Sequence, residues 1–565
     1  MLTFENYVYR RPDCGTAVRR YGELKAAAEK AATADELCEL LRSADALQAD
    51  LDSDCSLAEI RNTIDTRDPF YNDEVEYLNG AIPAVREAAN AFMRAVLASP
   101  HCAEAEKRYP QVLFTNARIA VRTSSPDTVE LLAQESRLTH EYQKLCASAH
   151  IDFMGETVTL AQLGPHKIHP DRAHRRAACC AESSFYMEHE AEFDRIFDDL
   201  VRVRTEMAHR LGFESYIELG YLRMGRNCYD QKMVSVFRDE VKKHVVPLVC
   251  ELKRKQTARI GVDRLKFMDD TMMFPTGNPK PAGSFADTRA AGIELYRKMC
   301  PETREFIDFM AGSDLFSLIA TEGKAPGGYC TSIPRYKAPF IFSNFNGTAG
   351  DVEVFTHEGG HAFADYVASR DPSIPYTLRC PTMESAECHS MSMEFLAWPW
   401  LDSFYGDRTG EAKLCHLEDA LFFLPYGCLV DEFQHVVYAH PEYTPAERHE
   451  AWLALEGQYR PYMDFDGIPF FALGHGWQRQ QHIYLYPFYY IDYCLAQTIS
   501  LEVFALSQRD WNEAWTHYYA FLRRGGTLPF TGLVEAGGFD SPFEKGTLES
   551  VCRTVRDYDE AHDRL

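Results

Sequence analysis

Apolar residues recur three and four positions apart along most of this 565-residue chain. That spacing lays them on one face of a helix, so the chain must fold largely as helices that bury a stripe against one another. The pattern predicts helices over 18–48, 73–99, 128–147 and 184–211. In the last of these Phe193, Ile196, Phe197, Leu200, Val203 and Met207 share one stripe, and Gly212 follows as a candidate left-handed cap. Two stretches have another texture. Residues 151–160 set a Gly-containing turn between β-prone runs and predict a hairpin. Residues 327–354, dense in Gly, Ser, Thr, Asn and aromatics, read as a second β region. The expected fold class is mainly α with little sheet. No repeat of 20–50 residues is visible.

The length suffices for one large core or two fused ones. The best boundary lies around 145–185, dividing an N-terminal helical region, 1–150, from a domain over 151–565. Lysine and arginine number 59 against 84 acidic residues, a formal net charge of -25. Such a balance argues against wrapping nucleic acid or lying on an anionic membrane. The most basic segment, 165–176, reads as a loop leading into a helix rather than as an anion site. The 17 cysteines are odd in number, spread from Cys14 to Cys552, and form no CxxC pair. This is the usage of reduced thiols in the cytoplasm, not of a secreted disulfide framework. Met1 to Asn6 lacks the start of a signal peptide. The longest apolar run, Ala420 to Val430, is interrupted by Pro425 and Gly427 and is too short to span a bilayer.

The chemistry-bearing motif is His357-Glu358-Gly359-Gly360-His361, an HExxH sequence. On a helix, positions i and i+4 lie one turn apart on one face, so both imidazoles can reach one ion, with Glu358 beside them. Gly359 and Gly360 each disfavour a helix interior by about 1 kcal/mol relative to Ala, which implies close approach of a neighbouring backbone or a substrate. About one chain in ten of this composition would hold the bare motif by chance, so a third ligand must support it. Downstream, Pro381 can open a helix that carries Glu384, Glu387 and Glu394 at +3 and +7 spacing. A metal and the ring N–H groups of its histidines would satisfy such carboxylates when buried. Spacing alone leaves Glu384, Glu387 and His389 open as the third ligand. Further on, residues 474–497 place His482 ahead of Tyr484, Tyr486, Tyr489, Tyr490 and Tyr493, entered through a bend at Gly474, Gly476 and Pro487. These rings read as core filling or as donors aimed at a developing oxyanion.

The combination resembles the thimet oligopeptidase/oligoendopeptidase F family of zinc metallopeptidases, and its oligoendopeptidase F branch in particular. The likeness runs through HEGGHAF at 357–363, PTMESAECHSMSMEFLAWPW at 381–400, LGFESYIELGYLRMGRNCY at 211–229 and HIYLYPFYYIDYCLAQ at 482–497. SPFEKGTL at 541–548 and FENYVYRRPD at 4–13 extend it over nearly the whole chain. The resemblance implies two helical lobes around a deep active-site cleft, with a small β-sheet next to the zinc-binding helix. It implies one zinc ion held by His357, His361 and Glu387, with Glu384 and Glu394 behind these ligands and Glu358 as general base. It also implies that His482, Tyr490 and Tyr493 stabilise the tetrahedral intermediate. Gly327, Gly328, Tyr329 and Asn344 would line the substrate on a strand, with Tyr486 and Tyr489 on the substrate side as well. The expected activity is endopeptidase cleavage of short, unfolded oligopeptides. The alternatives are an exopeptidase or dipeptidyl carboxypeptidase on the same scaffold, or a non-catalytic peptide-binding relative.

Overall fold

In the computed structural model, which describes residues 2–562, the chain is mainly helical with two small sheets. It divides into two compact units, each assembled from three separated stretches. The first comprises Met1–Val121, Lys280–Thr409 and Ile499–Ser541; the second comprises Arg122–Pro279, Gly410–Thr498 and Pro542–Leu565. Among the described residues, no helix is long and apolar enough to cross a membrane.

The first unit begins with helices Cys14–Ala28, Ala34–Ile64 and Pro69–Ala98. They close on a core that includes Tyr21, Leu37, Leu41, Phe92, Val96 and Phe114. The expected single helix over 18–48 is instead broken at residues 29–33. Thr33 caps the second helix by accepting from Glu36 N–H at 3.2 Å, and satisfying those orphan donors favours a fresh start over continuation. The second helix continues to Ile64. Arg335 reaches back to this helix, its Nε 3.0 Å from Asp50 Oδ1 and its Nη1 2.9 Å from Asp54 Oδ1, and fastens it to the sheet region.

Numbering all strands along the chain, β1 (Ile151–Phe153) and β2 (Glu156–Val158) belong to the second unit, and β3 (Phe316–Ile319), β4 (Tyr329–Ile333) and β5 (Ala338–Phe345) to the first. The sheet of the first unit has the order β3-β5-β4, with β3 parallel and β4 antiparallel to the central β5. Along β5 only Asn344 is less than buried, as a central strand covered on both faces requires. Lys324 Nζ donates to the carbonyls of Ser317 and Ile319 at 3.0 and 2.9 Å, where the register of the parallel pair shifts. The expected β region ends at Phe345, and Val354 lies in a helix instead. The switch is made by Asp351, whose carboxylate accepts from Asn346 and Gly347 N–H at 2.9 and 2.8 Å. That turn launches the helix Gly350–Ala368, which carries the HExxH motif.

In the second unit, β1 and β2 form the expected hairpin. Its two turn residues, Met154 and Gly155, have φ of 54° and 87°, as a tight two-residue turn demands. Over 184–211 the chain forms two helices, Arg172–Glu188 and Glu190–Arg210, where one was expected. The break falls at His189, whose ring Nδ1 lies 2.9 Å from Phe185 O. Gly212 ends the second helix with φ of 81°. The basic segment does lead into a helix, and Arg172 and Arg175 both pair with the buried Asp269, at 2.6 and 2.7 Å. The unit's centre holds a fully buried Arg204, bound to Glu135 at 2.7 Å and to Tyr438 Oη at 3.0 Å.

Candidate metal centre

His357 and His361 project from one face of Gly350–Ala368, and Glu387 projects from the helix Met383–Leu396. Glu387 Oε2 lies 3.3 Å from His357 Nε2 and 3.7 Å from His361 Nε2. The three side chains offer ligand atoms all within 4.8 Å of one another. The two rings stand 5.0 Å apart and nearly perpendicular, at 82°, so their nitrogens converge without stacking. Two imidazoles and one carboxylate form a donor set suited to a divalent transition ion with an open position.

The glycine pair explains why the helices approach so closely. A Cβ on Gly360 would sit 2.6 Å from His389 O and 2.7 Å from Ser390 Cα, so the second helix rests its backbone on this residue. A Cβ on Gly359 would sit 2.1 Å from Tyr296 Oη, which donates to Thr356 O at 3.1 Å. Both glycines are thus required by packing within the protein. Tyr518 Oη donates to the same carbonyl, His389 O, at 3.0 Å.

Behind His357, Glu394 Oε1 lies 2.7 Å from the ring Nδ1. A carboxylate there keeps that nitrogen protonated and leaves the lone pair on Nε2, the nitrogen that faces Glu387. Glu384 is fully buried and accepts from the Thr382 hydroxyl. His389 is buried too, with its ring edge-on to Phe521 at 5.4 Å. Burial pushes the Glu358 carboxyl up to about 7, reinforced by Glu387 and Glu394 and opposed by His357. Burial lowers His361 to about 4. For His357 burial acts in the same direction, but its hydrogen bonds to Glu387 and Glu394 outweigh it and raise the value.

The strand residues lie in the same unit as this centre. β4 is an edge strand of its sheet. Ser332 on β4 donates to Asp365 at 3.0 Å, which ties the strand to the HExxH helix. Asn344 Nδ2 donates to Ala325 O and Gly327 O at 2.9 and 2.8 Å and fixes the approach to β4. Gly327 is needed for its φ of 96°. At Gly328 a Cβ would meet only an ordinary contact at 3.5 Å. Tyr329 stacks on Phe342 with ring centroids 4.9 Å apart.

The His/Tyr segment belongs to the second unit. Its chain bends through Gly476–Arg479 and Gln481–Leu485 before the helix Tyr490–Ser507. His482 faces Tyr490 at 4.9 Å, Tyr489 at 5.7 Å and Tyr493 at 6.1 Å between ring centroids. Tyr484 is fully buried core, whereas Tyr486 is 59% exposed. The bend is made at Phe488, a non-glycine residue with φ of 68°. Its N–H donates to Gln434 Oε1 at 2.8 Å, and Arg226 Nη2 donates both to its carbonyl and to Asp492 Oδ1. Its ring lies against Gly220, where a Cβ would be 2.6 Å from Phe488 Cδ2. Arg226 and Gly220 come from the 211–229 segment, to which sequence reasoning gave no role, and Gln434 from the helix Thr409–Ala439. Their only signal was the position of Gly220 within a helical run.

A second group, Glu190, His449 and His475, also brings three ligand atoms together. Its chemistry differs. The two rings lie only 3.8 Å apart, against 5.0 Å for His357 and His361. Trp477 Nε1–H donates to His449 Nδ1 at 3.1 Å, so the neutral ring's proton sits on Nε2, the nitrogen facing Asp194 at 3.5 Å. A metal-binding histidine needs an acceptor behind it, as Glu394 provides for His357, and this one has a donor.

Comparison with known proteins bears on the family. Residues 4–124 match the model of the Peptidase M3 N-terminal domain, and residues 305–552 match that of Peptidase family M3. The chain is similar to a structure of PZ peptidase A with inhibitor 2, at 44% identity over 99% of both chains and a TM-score of 0.91. It is similar to a putative oligoendopeptidase F at 43% identity over 100% of both chains, TM-score 0.92. It is also similar to a putative oligoendopeptidase F from Bacillus anthracis str. Ames at 39% identity over 100% of both, TM-score 0.87. A search of the curated proteins gave no match. The chain belongs to peptidase family M3, in its oligoendopeptidase F branch, and is a metallopeptidase.

Proposed function

We propose that the protein is a zinc-dependent endopeptidase that hydrolyses short, unfolded oligopeptides. The observation that carries this reading is the convergence of His357, His361 and Glu387 with the buried Glu358 between the two histidines in sequence. The donor set and the Glu394 carboxylate behind His357 fit one zinc ion. When bound, the ion supplies Lewis-acid polarisation of a carbonyl and makes water more acidic. The chain's own residues do the rest. His357 and His361 present Nε2, and Glu387 presents Oε2. Glu358, poised near neutrality, takes a proton from the attacking water and returns it to the leaving amine. His482, Tyr490 and Tyr493 donate to the developing oxyanion, each worth about 2.7–4 kcal/mol when aligned. The edge strand β4, with Gly327, Gly328 and Tyr329, pairs with the extended peptide backbone, while Asn344 holds its entry loop and Tyr486 and Tyr489 contact substrate side chains. The cysteines are free thiols, which suits a reducing cytoplasm.

The test is an internally quenched peptide blocked at both ends, assayed beside metal analysis. Cleavage that is lost with a chelator and restored by zinc is expected. Failure to cleave any end-blocked peptide, with release of residues from free-ended ones, would replace the endopeptidase reading by an exopeptidase one.

A further inference from the structure

We infer that Gln480 and Tyr426 are positioning residues that hold His482 as the tautomer with its proton on Nε2, so that it meets the oxyanion as a donor. The inference rests on the reading of His482 given above. Tyr426 Oη donates to Gln480 Oε1 at 2.9 Å. Gln480 Nε2 in turn lies 2.8 Å from His482 Nδ1. An amide NH2 only donates, so Nδ1 must accept, and the single proton of a neutral imidazole is left on Nε2. A reversed amide would give the opposite tautomer, with a bare lone pair on Nε2 that repels an oxyanion. The phenol of Tyr426 can donate or accept, but it is the stronger donor, so it favours the amide that turns Oε1 toward it.

Both residues are held in place. Gln480 N–H donates to Trp477 O at 3.0 Å, and Gln480 O accepts from Ile483 N–H at 3.1 Å. Tyr426 follows Pro425 within the helix Thr409–Ala439. The Arg460 guanidinium lies 4.9 Å over its ring and is itself paired with Glu456 at 2.9 Å. The Tyr426 ring also meets Tyr490 edge-on at 5.9 Å. One tyrosine thus sets the orientation of the His482 amide partner and supports a second donor. The titratable groups whose rings face His482 are Tyr489, just before the following helix, and Tyr490 and Tyr493 on it, none of them charged at neutral pH. Burial keeps His482 below its ordinary value, so it is neutral in the working range.

The test is Gln480→Glu, which is isosteric but only accepts. The carboxylate takes Nδ1–H from His482, strips Nε2 of its proton and raises the pKa of the ring. At pH 8 kcat is expected to fall about 100-fold with KM within about twofold of wild type, the loss of one oxyanion donor. The ratio of variant to wild-type kcat is expected to recover as pH falls, because the imidazolium again presents Nε2–H. A merely structural defect would move KM and zinc content together and show no such recovery. Wild-type kcat for Gln480→Glu at pH 8 overturns the proposal. His482→Ala separates the two layers: its loss of kcat beside an unaffected Gln480→Glu removes only the relay, whereas wild-type kcat in His482→Ala removes the donor role itself. Should Gln480→Glu not fold, Gln480→Leu and Tyr426→Phe carry the test. Each is expected to lose kcat several-fold at unchanged KM, and wild-type kcat in both overturns the relay.

Discussion

Substituting Gly360 by Ala tests whether the metal centre depends on the spacing of two helix backbones. The added Cβ would lie 2.6 Å from His389 O, 2.7 Å from Ser390 Cα and 3.0 Å from Met393 Cβ. The first two are backbone atoms, which cannot rotate away. The helix Met383–Leu396 must recede by about 0.8 Å to bring 2.6 Å to an ordinary contact of 3.4 Å. Glu387 travels with it, away from His357 and His361, whereas metal ligands tolerate about 0.2 Å. Overpacking costs about 1–3 kcal/mol, and the better helix propensity of Ala returns about 1. The fold should therefore lose about 0–2 kcal/mol while zinc affinity falls about 10- to 100-fold. Gly359→Ala is the control. Its Cβ would overlap only the Tyr296 side chain, which is fully buried, so the cost of about 1–3 kcal/mol falls on the fold and not on the spacing of the two helices. Zinc competition against a calibrated chelator, with melting of the metal-free proteins, measures both effects. Wild-type zinc affinity in Gly360→Ala, or a larger loss in Gly359→Ala, refutes the argument.

Other expectations follow from the same centre. Glu358→Gln should keep near-stoichiometric zinc and lose peptide cleavage by several orders of magnitude; full activity would remove Glu358 from the base role. Glu387→Ala should lose zinc and Glu384→Ala should largely keep it, as read by elemental analysis. Glu358 also sets a pH trend in the metal-free protein. Its carboxyl titrates near 7 when folded, against an ordinary value of 4.5, so between these values the folded state holds the extra proton. Glu358 by itself makes stability fall as pH rises from about 4.5 to 7, by on the order of 3 kcal/mol, beside an opposite contribution from His361 and a like one from Glu502. Glu358→Gln should therefore remove that one component, read as the difference between wild type and variant in pH-dependent melting.

The legible and illegible parts of this fold differ in physical kind. The i, i+4 histidines and the stripe from Phe193 to Met207 are local periodicities, and the helices Gly350–Ala368 and Glu190–Arg210 follow them. The break before Ala34 had a local signal too, since Thr33 and Glu36 have the spacing of a capping box, but the apolar period across it obscured the stop. His189 carries no such mark. Among Glu384, Glu387 and His389, period alone selects a helix but not its rotation about its own axis. That rotation is fixed by His389 and Ser390 resting on Gly360, a contact between distant residues. The partner of His482 was hidden for a similar reason: Gln480 is one of several polar residues before it, and only Tyr426, 54 positions away, distinguishes it.

The ion pairs of Arg335 bear on the order in which the molecule can be made. Asp50 and Arg335 are 285 residues apart in sequence. At about 5–20 residues per second, a ribosome would emit the first roughly 15–60 s before the second. Throughout that interval the three N-terminal helices can close their own core, but their acidic row has no guanidinium to meet. The first unit is also interrupted twice by stretches of the second. A single truncation therefore removes parts of both units at most points along the chain. Synthesis, not only sequence, imposes a late step on this protein: the metal-binding helices emerge only after more than half the chain has been exposed, and a nascent chain stalled before them offers a peptidase scaffold with no metal centre.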